Sequence, residues 1–473
     1  MNKRMLTVPA LLTLFLSGCV NLAPSPETPV APVPESFPKG DAYLPLPAEA
    51  QALPSWRAVF TDENLQAVIE LALANNRDLK TAALNVEKAR ASYGVSRSQL
   101  FPTIAAAASN TAQHTAGTMT VTGVGHTAHS YTAQLAMASY EIDFFGRIRN
   151  LNEQALQAYL ATEDAHRSAQ SALIAEVAMA WYQLGADREQ LALQESLLKS
   201  QEESYRLIES TYKIGAASQL ELEQARTTVE AARAAIVSYI RAVARDKNAL
   251  DLLCGTTVAD KRLPKSLPKT AMQTAIPVGM TSSVLLNRPD IMAAERNLRS
   301  AEANIGVARA AFFPRVTLLG GVGTAGLHLS DLFDPHSGMW TFTPSVNLPI
   351  FTGGLNTANL EVAKVSQQLA ITSYEKSIQT AFKEVSDALA MVGTVDKELE
   401  ARRAYTDAAD KAYHLSDTSY KVGAISYSDL LVSQRAMVSA HQTLINTELS
   451  KASGVITLYK ALGGGSVLDE EMK

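Results

Sequence analysis

Three histidines come nearest to a metal-binding cluster in this chain. His114, His126 and His129 lie close together in sequence, and imidazole is a common ligand of zinc and copper. The residues around them are short, with Gly and Thr, which predicts an exposed loop between two strands rather than a packed site. No P-loop, GxSxG or HExxH motif is present. We therefore expect no enzymatic activity, no metal site and no cofactor.

The cysteines offer covalent chemistry of another kind. Cys19 follows a basic start and an apolar run, Met5 to Leu16, that is too short to span a bilayer. This pattern predicts a cleavable export signal over residues 1–18. The tetrapeptide LSGC resembles the lipobox of bacterial lipoproteins, which implies a covalent lipid on Cys19. Val20 stands where an aspartate would indicate inner-membrane retention, so the resemblance points to the outer membrane.

Loss of the signal leaves a mature chain with few reactive groups. Once Cys19 is acylated, Cys254 is the remaining thiol, so no disulfide can form within the chain. Cys254 follows an apolar stretch at a predicted helix end, where we expect a small buried residue. Removal of residues 1–18 changes the formal net charge from −5 to −7, which makes a nucleic-acid partner unexpected.

Proline divides the chain into an extended segment and long helices. Residues 19–55 are rich in proline and predict an extended tether after the lipid. Proline is absent from 103–263 and from residue 350 onward, so long helices can form there.

The sequence is also written twice. YKIGAASQL begins at Tyr212 and YKVGAISYS at Tyr420, while residues 75–104 align with residues 287–316. We therefore predict two tandem repeats, whose bounds are residues 56–270 and 271–473.

Each repeat shows the same order of elements. Each has two predicted strands, within 103–143 in the first repeat and within 315–350 in the second. A helical hairpin follows each strand pair, at about 152–253 and 359–462, and its apolar residues have heptad spacing. Gly215 and Gly423 would form the turns at the hairpin tips, because glycine adopts the backbone conformation that ends a helix. An alternative is an ordinary bundle of helices broken at Gly185 or Gly393.

The number of predicted strands indicates that the protein forms an oligomer. Strands that enter a membrane must form a closed barrel, and four strands cannot close one. Two chains would give about eight strands, whose side chains fill the interior, and three chains about twelve, which leave a lumen. Aromatic residues near the strand ends would suit a membrane-interface girdle or a protein core. They are Tyr140, Phe144, Phe145, Trp340, Phe342 and Phe351.

Several motifs in fixed order resemble the TolC-type outer-membrane efflux proteins, in the lipoprotein branch that serves resistance-nodulation-division (RND) pumps. They are WRAVFTDENL, EIDFFGR, NRPDIMAAERNL, ARAAFFPRV, LPIFTGG and the paired YKxG turns. The resemblance implies a mixed α/β membrane protein that forms a homotrimer, with a twelve-stranded outer-membrane β-barrel and a long periplasmic α-helical barrel of coiled-coil hairpins. It also implies a periplasmic adaptor and an inner-membrane RND pump as partners, and passive export of drugs or other toxic compounds.

The resemblance further implies a periplasmic aperture beside the hairpin tips. Asp429, six residues after its tip glycine, matches an acidic position of the family, and Glu221 holds the same place in the first repeat. Three copies of Asp429 around an axis would repel one another and attract cations. Tyr420 matches a tyrosine of the closing contacts.

The chain departs from the family pattern at two aperture positions. An arginine of the family is Ile425 here, and a second acidic position is Val432, so an apolar constriction from Val432, with Ser428 nearby, could share the aperture. A simpler interpretation of Asp429 is a negative charge at a helix N-terminus, favoured by the helix dipole.

Two other functions are compatible with the pattern. The same channel could serve a type I protein secretion system and carry proteins. A lipid-anchored structural coiled coil without a pore is the alternative from another class, although a rod has no use for duplicated strand pairs.

Overall fold

The computed structural model describes residues 20–26, 29–43, 53–269 and 281–465. The chain divides into two compact units. The sheet unit comprises Val86–Thr162, Ala294–Tyr374 and the N-terminal residues up to Pro29. The helical unit comprises Val30–Asn85, Glu163–Ala293 and Glu375–Lys473. Cys19 lies outside the described residues.

Both repeats contain a helix, a strand pair and a helical hairpin in the same order, which confirms the tandem duplication, and two further helices precede this set in the first repeat. In the first repeat the elements are α1 Trp56–Val59, α2 Glu63–Asn75, α3 Arg77–Ser98, β1 Ile104–Thr115, β2 His126–Ile142, α4 Arg147–Lys213 and α5 Gln219–Cys254. In the second they are α6 Pro289–Ala310, β3 Arg315–Gly326, β4 Gly338–Asn347, α7 Leu355–Lys421 and α8 Tyr427–Ala461. Helices α3 and α6 therefore correspond, and each precedes a strand pair and a helical hairpin.

Helices α4 and α7 contain 67 residues each and run without interruption through Gly185 and Gly393. The alternative of broken helices is therefore wrong. Gly185 serves close packing: a Cβ atom there would lie 2.9 Å from the carbonyl oxygen of Ser266. Of the helices in the described ranges, none has a stretch apolar and long enough to cross a bilayer.

The strands form one antiparallel sheet in the order β1-β2-β3-β4. Strand β1 pairs with β2 from Ile104 opposite Met137 to Thr115 opposite His126. The pairing of β2 with β3 joins the strands of the first repeat to those of the second, and its register shifts between Met137 and Tyr140. In the described chain β1 and β4 are the sheet edges, so their outward N–H and C=O groups remain available for further strands.

The prediction that the three histidines occupy a loop is wrong. His114 lies in β1, and His126 and His129 lie in β2, because the pairing of these strands extends farther toward the connection than the Gly and Thr residues indicate. His114 Nδ1 is 3.0 Å from the hydroxyl of Thr127, and all three rings are exposed. Among the described residues, no group of three or more His, Cys, Asp or Glu side chains is arranged to hold a metal ion.

The strand-end aromatics separate into two groups. Trp340, Phe342 and Phe351 are exposed on the isolated chain, as a membrane-interface girdle requires. Phe145 instead stacks on Phe313 with ring centroids 4.7 Å apart, so it belongs to the packing of the sheet unit.

The helical unit has its core where the hairpin bases meet α2. Large side chains such as Trp181, Tyr459 and Phe60 are fully buried there, and Phe60 meets Tyr459 edge-on. Cys254 ends α5 and is fully buried, with its sulfur 3.8 Å from the carbonyl oxygen of Val68. Burial raises the pKa of this thiol to about 12. The prediction of a small buried residue at a helix end is confirmed.

In each repeat, one polar side chain at the start of the first hairpin-preceding helix, α3 or α6, bonds to the C-terminal end of the helical hairpin. Asn76 precedes α3 and donates from Nδ2 to the carbonyl oxygen of Leu253, at the end of α5, over 2.8 Å. Arg288 precedes α6 and donates from Nη1 to the carbonyl oxygen of Ala461, at the end of α8, over 2.6 Å. These bonds satisfy carbonyls that a helix C-terminus leaves without an intrahelical partner.

A buried carboxyl group on α5 makes the stability of the helical unit depend on pH. Asp246 is only 7% exposed, and its Oδ2 has no hydrogen-bond partner in the described structure. Burial, together with the nearby carboxylate of Asp187, raises the pKa of Asp246 to about 7, against the weaker opposing effect of Arg245. The folded protein therefore holds this proton up to about pH 7, whereas an unfolded aspartate releases it near pH 4.

We expect Asp246→Asn to raise the unfolding temperature at pH 8 and to raise it less at pH 5. The stability that protonated Asp246 provides is complete below about pH 4 and is lost as the pH rises through 7, and asparagine avoids this loss. Thermal unfolding of the detergent-solubilised protein at both pH values measures the difference. The exposed Asp260→Asn is the control, and an equal shift for both variants at pH 8 would contradict the assignment.

Candidate functional site at the hairpin tips

The repeated YKxG motif forms the C-terminal turn of each long helix. Gly215 has a φ of 79°, in the left-handed region that a β-carbon disfavours. Its N–H donates to the carbonyl of Tyr212 over 2.9 Å, and the N–H of Ala216 donates to that of Thr211 over 2.8 Å. This pair of bonds is the Schellman motif, and it recurs around Gly423, whose φ is 76°. The prediction that these glycines form the tip turns agrees with this geometry.

The acidic residues six positions after the glycines lie in the first turns of the return helices. Glu221 accepts from the N–H of Ser218 over 2.9 Å, and Ser218 accepts from the N–H of Glu221 over 3.2 Å. Asp429 and Ser426 form the same reciprocal pair, with both bonds at 3.2 Å. These are capping boxes, which satisfy N–H groups at a helix start. Asp429 therefore has a local structural role, and its carboxylate is exposed as well.

A cluster of tyrosines packs under the tips. Tyr427, the first residue of α8, is 3% exposed and packs in a core with Ile208 and Ala225 of the first hairpin. Partly buried aromatic residues surround this core: Tyr205, Tyr413 and Tyr420. Of these tyrosines, the family resemblance assigns a role to Tyr420 alone. The sequence does contain a signal for this cluster, because the second-repeat tyrosines at 413, 420 and 427 recur every seven residues, the period of residues that pack between helices.

Two tyrosines join the second hairpin to the first. Tyr427 is buried against Ile208 and Ala225 of the first hairpin, and this burial raises the pKa of its phenol. Tyr420 lies near Glu221, and burial followed by this negative charge raises the pKa of the Tyr420 phenol. Both phenols therefore stay neutral at physiological pH, and the two tips form one packed layer within the chain.

The remaining predicted residues share one exposed patch on the first turns of α8. Ser428, Asp429 and Val432 are exposed, and Val432 keeps 67% of its surface accessible. Residues three and four positions apart lie on the same side of a helix, so the carboxylate of Asp429 and the isopropyl group of Val432 face the same direction. Glu221 and Tyr420 lie outside this patch. Glu221 is only partly exposed and lies on α5, and Tyr420 lies in the cluster of tyrosines under the tips.

Comparison with protein families gives a match over both repeats. The model of the family described as outer membrane efflux protein matches residues 68–256 and 280–464. The two matched segments each contain one strand pair and one tip turn.

Individual relatives match over nearly the whole chain. The toluene efflux pump outer membrane protein TtgC of Pseudomonas putida is 43% identical over 469 residues, which cover 98% of this chain and 96% of the relative. The cation efflux system protein CusC of Escherichia coli is 37% identical, with 97% and 98% covered. The solved open state of the Neisseria gonorrhoeae outer membrane channel MtrE superposes with a TM-score of 0.84 at 37% identity, with 94% of this chain and 98% of that chain covered.

Proposed function

This chain belongs to the outer membrane efflux protein family, and we propose that three copies of it form the channel through which an inner-membrane pump and a periplasmic adaptor expel small toxic compounds. The chain is the outer-membrane component of an efflux system, as its relatives are named. Its fold is that of the solved outer-membrane channels. The prediction of an outer-membrane efflux protein that extends into the periplasm is confirmed.

The open edges of the sheet carry the proposal of a homotrimer. Within the described residues, strands β1 and β4 each present an unpaired edge, and an open edge cannot face lipid. Pairing β4 of one chain with β1 of the next removes every edge once the ring closes. Three chains give about twelve strands, enough for a lumen, whereas two give about eight and a filled interior.

The long hairpins would form the periplasmic part of the channel and meet an adaptor at their tips. The energy for export would come from an RND pump, as the resemblance to the TolC-type proteins that serve such pumps implies. We infer no enzymatic activity and no cofactor apart from the lipid. The relative named for toluene efflux supports small apolar organic compounds as cargo.

Covalent lipid on Cys19, after removal of residues 1–18, would anchor the protein to the outer membrane. The residues that follow Cys19 are held firmly on the sheet unit. Val20 donates from N–H to the carbonyl of Phe144 over 3.0 Å, and Arg309 donates to the carbonyl of Leu22 over 2.9 Å. A lipid on Cys19 would therefore start close to Phe144, which follows the end of β2 within two residues.

The exposed patch of Ser428, Asp429 and Val432 would line the periplasmic aperture, with Glu221 beside it on the first hairpin. Tyr420 and Tyr427 would hold the second hairpin against the first. Opening then requires their contacts with the first hairpin to separate, which is a movement of packed helices past each other.

Single-channel recording from the purified, detergent-extracted oligomer in a planar bilayer tests the channel. We expect discrete openings of low conductance, because the apertures are held by the tip contacts. A correctly folded oligomer without any conductance would support the structural coiled coil instead. Deletion of the gene separates the two kinds of cargo: efflux predicts greater sensitivity to drugs and solvents, and type I secretion predicts loss of an exported protein.

A further inference from the structure

A polar cavity of about 350 Å³ lies in the sheet unit, between the N-terminal segment and the helices α4 and α6. Cavities of this size suit small ligands. One wall is formed by residues that begin two positions after Cys19, starting with Asn21. The other walls are formed by 149–157 of α4 and 299–303 of α6. None of the hairpin-tip residues takes part in this cavity.

A buried hydrogen-bond acceptor without a partner lines the cavity. Gln157 is 6% exposed, and its Nε2 donates to Glu153 over 2.7 Å. Its Oε1 is buried and accepts no hydrogen bond within the described structure. Such an acceptor is costly to leave unsatisfied. A ligand in the cavity that carries N–H or O–H donors would satisfy it.

Two arginines provide positive charge and hydrogen-bond donors on the wall of the cavity. Arg149 and Arg299 line the cavity, and each side chain is about two-fifths exposed. The protein contacts of Arg149 are long: 3.4 Å to Asp143 and 3.4 Å to the carbonyl of Val20. Arg299 makes one short bond, 2.6 Å, to Glu295. A guanidinium has five N–H donors, so both retain donors that match a phosphate.

We propose that this cavity binds the phosphoethanolamine headgroup of a membrane lipid. The guanidiniums of Arg149 and Arg299 would hold the phosphate, and the ammonium would donate to Oε1 of Gln157 and to the carboxylate of Glu153. Glu302 adds a second negative charge to the lining, which matches a zwitterion better than an anionic lipid.

The position of the cavity favours a lipid over a free metabolite. The inference rests on the proposed function here, because the lipid on Cys19 and the membrane-spanning strands would place this part of the sheet unit at the headgroup layer. The bound lipid would join the N-terminal segment to α4 and α6 where the chain leaves the membrane.

Native mass spectrometry of the full-length protein in detergent tests the site with three probes: phosphatidylethanolamine, phosphatidylglycerol and inorganic phosphate. We expect one phosphatidylethanolamine per chain, bound about tenfold more tightly than phosphatidylglycerol, since the differing contacts are charge-assisted hydrogen bonds. Arg299→Gln should weaken binding of both lipids about tenfold. Gln157→Leu should reduce the preference for phosphatidylethanolamine. Arg90→Gln, the same change at an exposed position of the sheet unit, should have no effect.

Equal binding of the two lipids, unchanged by Arg299→Gln, would overturn the site and indicate nonspecific lipid. Full displacement of phosphatidylethanolamine by inorganic phosphate would overturn the lipid assignment in favour of a phosphate site. Conductance separates this inference from the channel itself, because Arg299→Gln should leave conductance unchanged. A conducting protein without lipid preference would refute the headgroup site alone.

Discussion

Asp429→Ala will increase the single-channel conductance several-fold and will weaken block by divalent cations. In the proposed trimer three Asp429 carboxylates would face one another at the narrowest part of the channel and attract cations. A divalent cation bound there would join the three chains and keep the aperture closed. Alanine removes the charge and the side chain together. Recordings in a planar bilayer, with and without millimolar magnesium or calcium, measure both effects.

The capping box of Asp429 complicates this variant, because alanine also removes a bond at the start of α8. Asp429→Asn removes the charge and keeps an oxygen that can accept from Ser426. If the charge closes the aperture, both variants will conduct alike. If only alanine raises conductance, the cap matters and the ring of charge does not. Asp417→Asn is the matched control, since it removes a carboxylate of α7 that pairs with Lys421.

Unchanged openings in both Asp429 variants would leave the channel intact and move the constriction. Val432 is then the next residue to change, because it shares the exposed side of α8 and stands where the family has an acidic residue. Val432→Ala would widen an apolar constriction without altering charge, so its effect would not depend on divalent cations.

The features that the sequence predicted are those that repeat with a fixed period. The paired YKxG motif predicts the duplication and the glycines at the tips. The heptad spacing and the absence of proline predict the long, uninterrupted helices of the hairpins. Such patterns act through local backbone geometry, so one sequence is enough to identify them. The motifs also carried the family resemblance, which supplied the trimer and the aperture.

Contacts between distant segments were not predictable in the same way. Tyr427 belongs to the repeated motif and begins a helix, but neither feature predicts that it packs with Ile208 on the first hairpin. The histidines were misplaced because strand pairing, set by the partner strand, decides where a connection begins. Gln157 carries no motif at all, since an unsatisfied acceptor is recognisable only after its surroundings are folded.

The buried arginine at the base of the second hairpin leads to the largest expected loss of stability. Arg288 is 8% exposed and, besides Ala461, bonds Asp290 over 2.7 Å and Glu384 over 2.9 Å. Arg288→Met fills a similar volume but leaves a carbonyl and two carboxylates without their cation. Asp290 and Glu384 keep 40% and 46% of their side-chain surfaces exposed, so water replaces part of the lost interaction, and we expect a loss of about 2–3 kcal/mol. Guanidinium denaturation of the detergent-solubilised protein, followed by loss of helical circular dichroism, should show a lower midpoint.

The duplication supplies the matched control for this variant. Asn76 makes the equivalent bond in the first repeat without any charge, so Asn76→Ala should cost only about 1–2 kcal/mol. Arg288→Lys keeps the charge but cannot reach three acceptors with a planar fork, and we expect an intermediate loss. If Arg288→Met costs no more than Asn76→Ala, the network contributes little beyond a helix cap. The two repeats would then be held at their bases by the same single bond, with the acidic partners of Arg288 serving only its orientation.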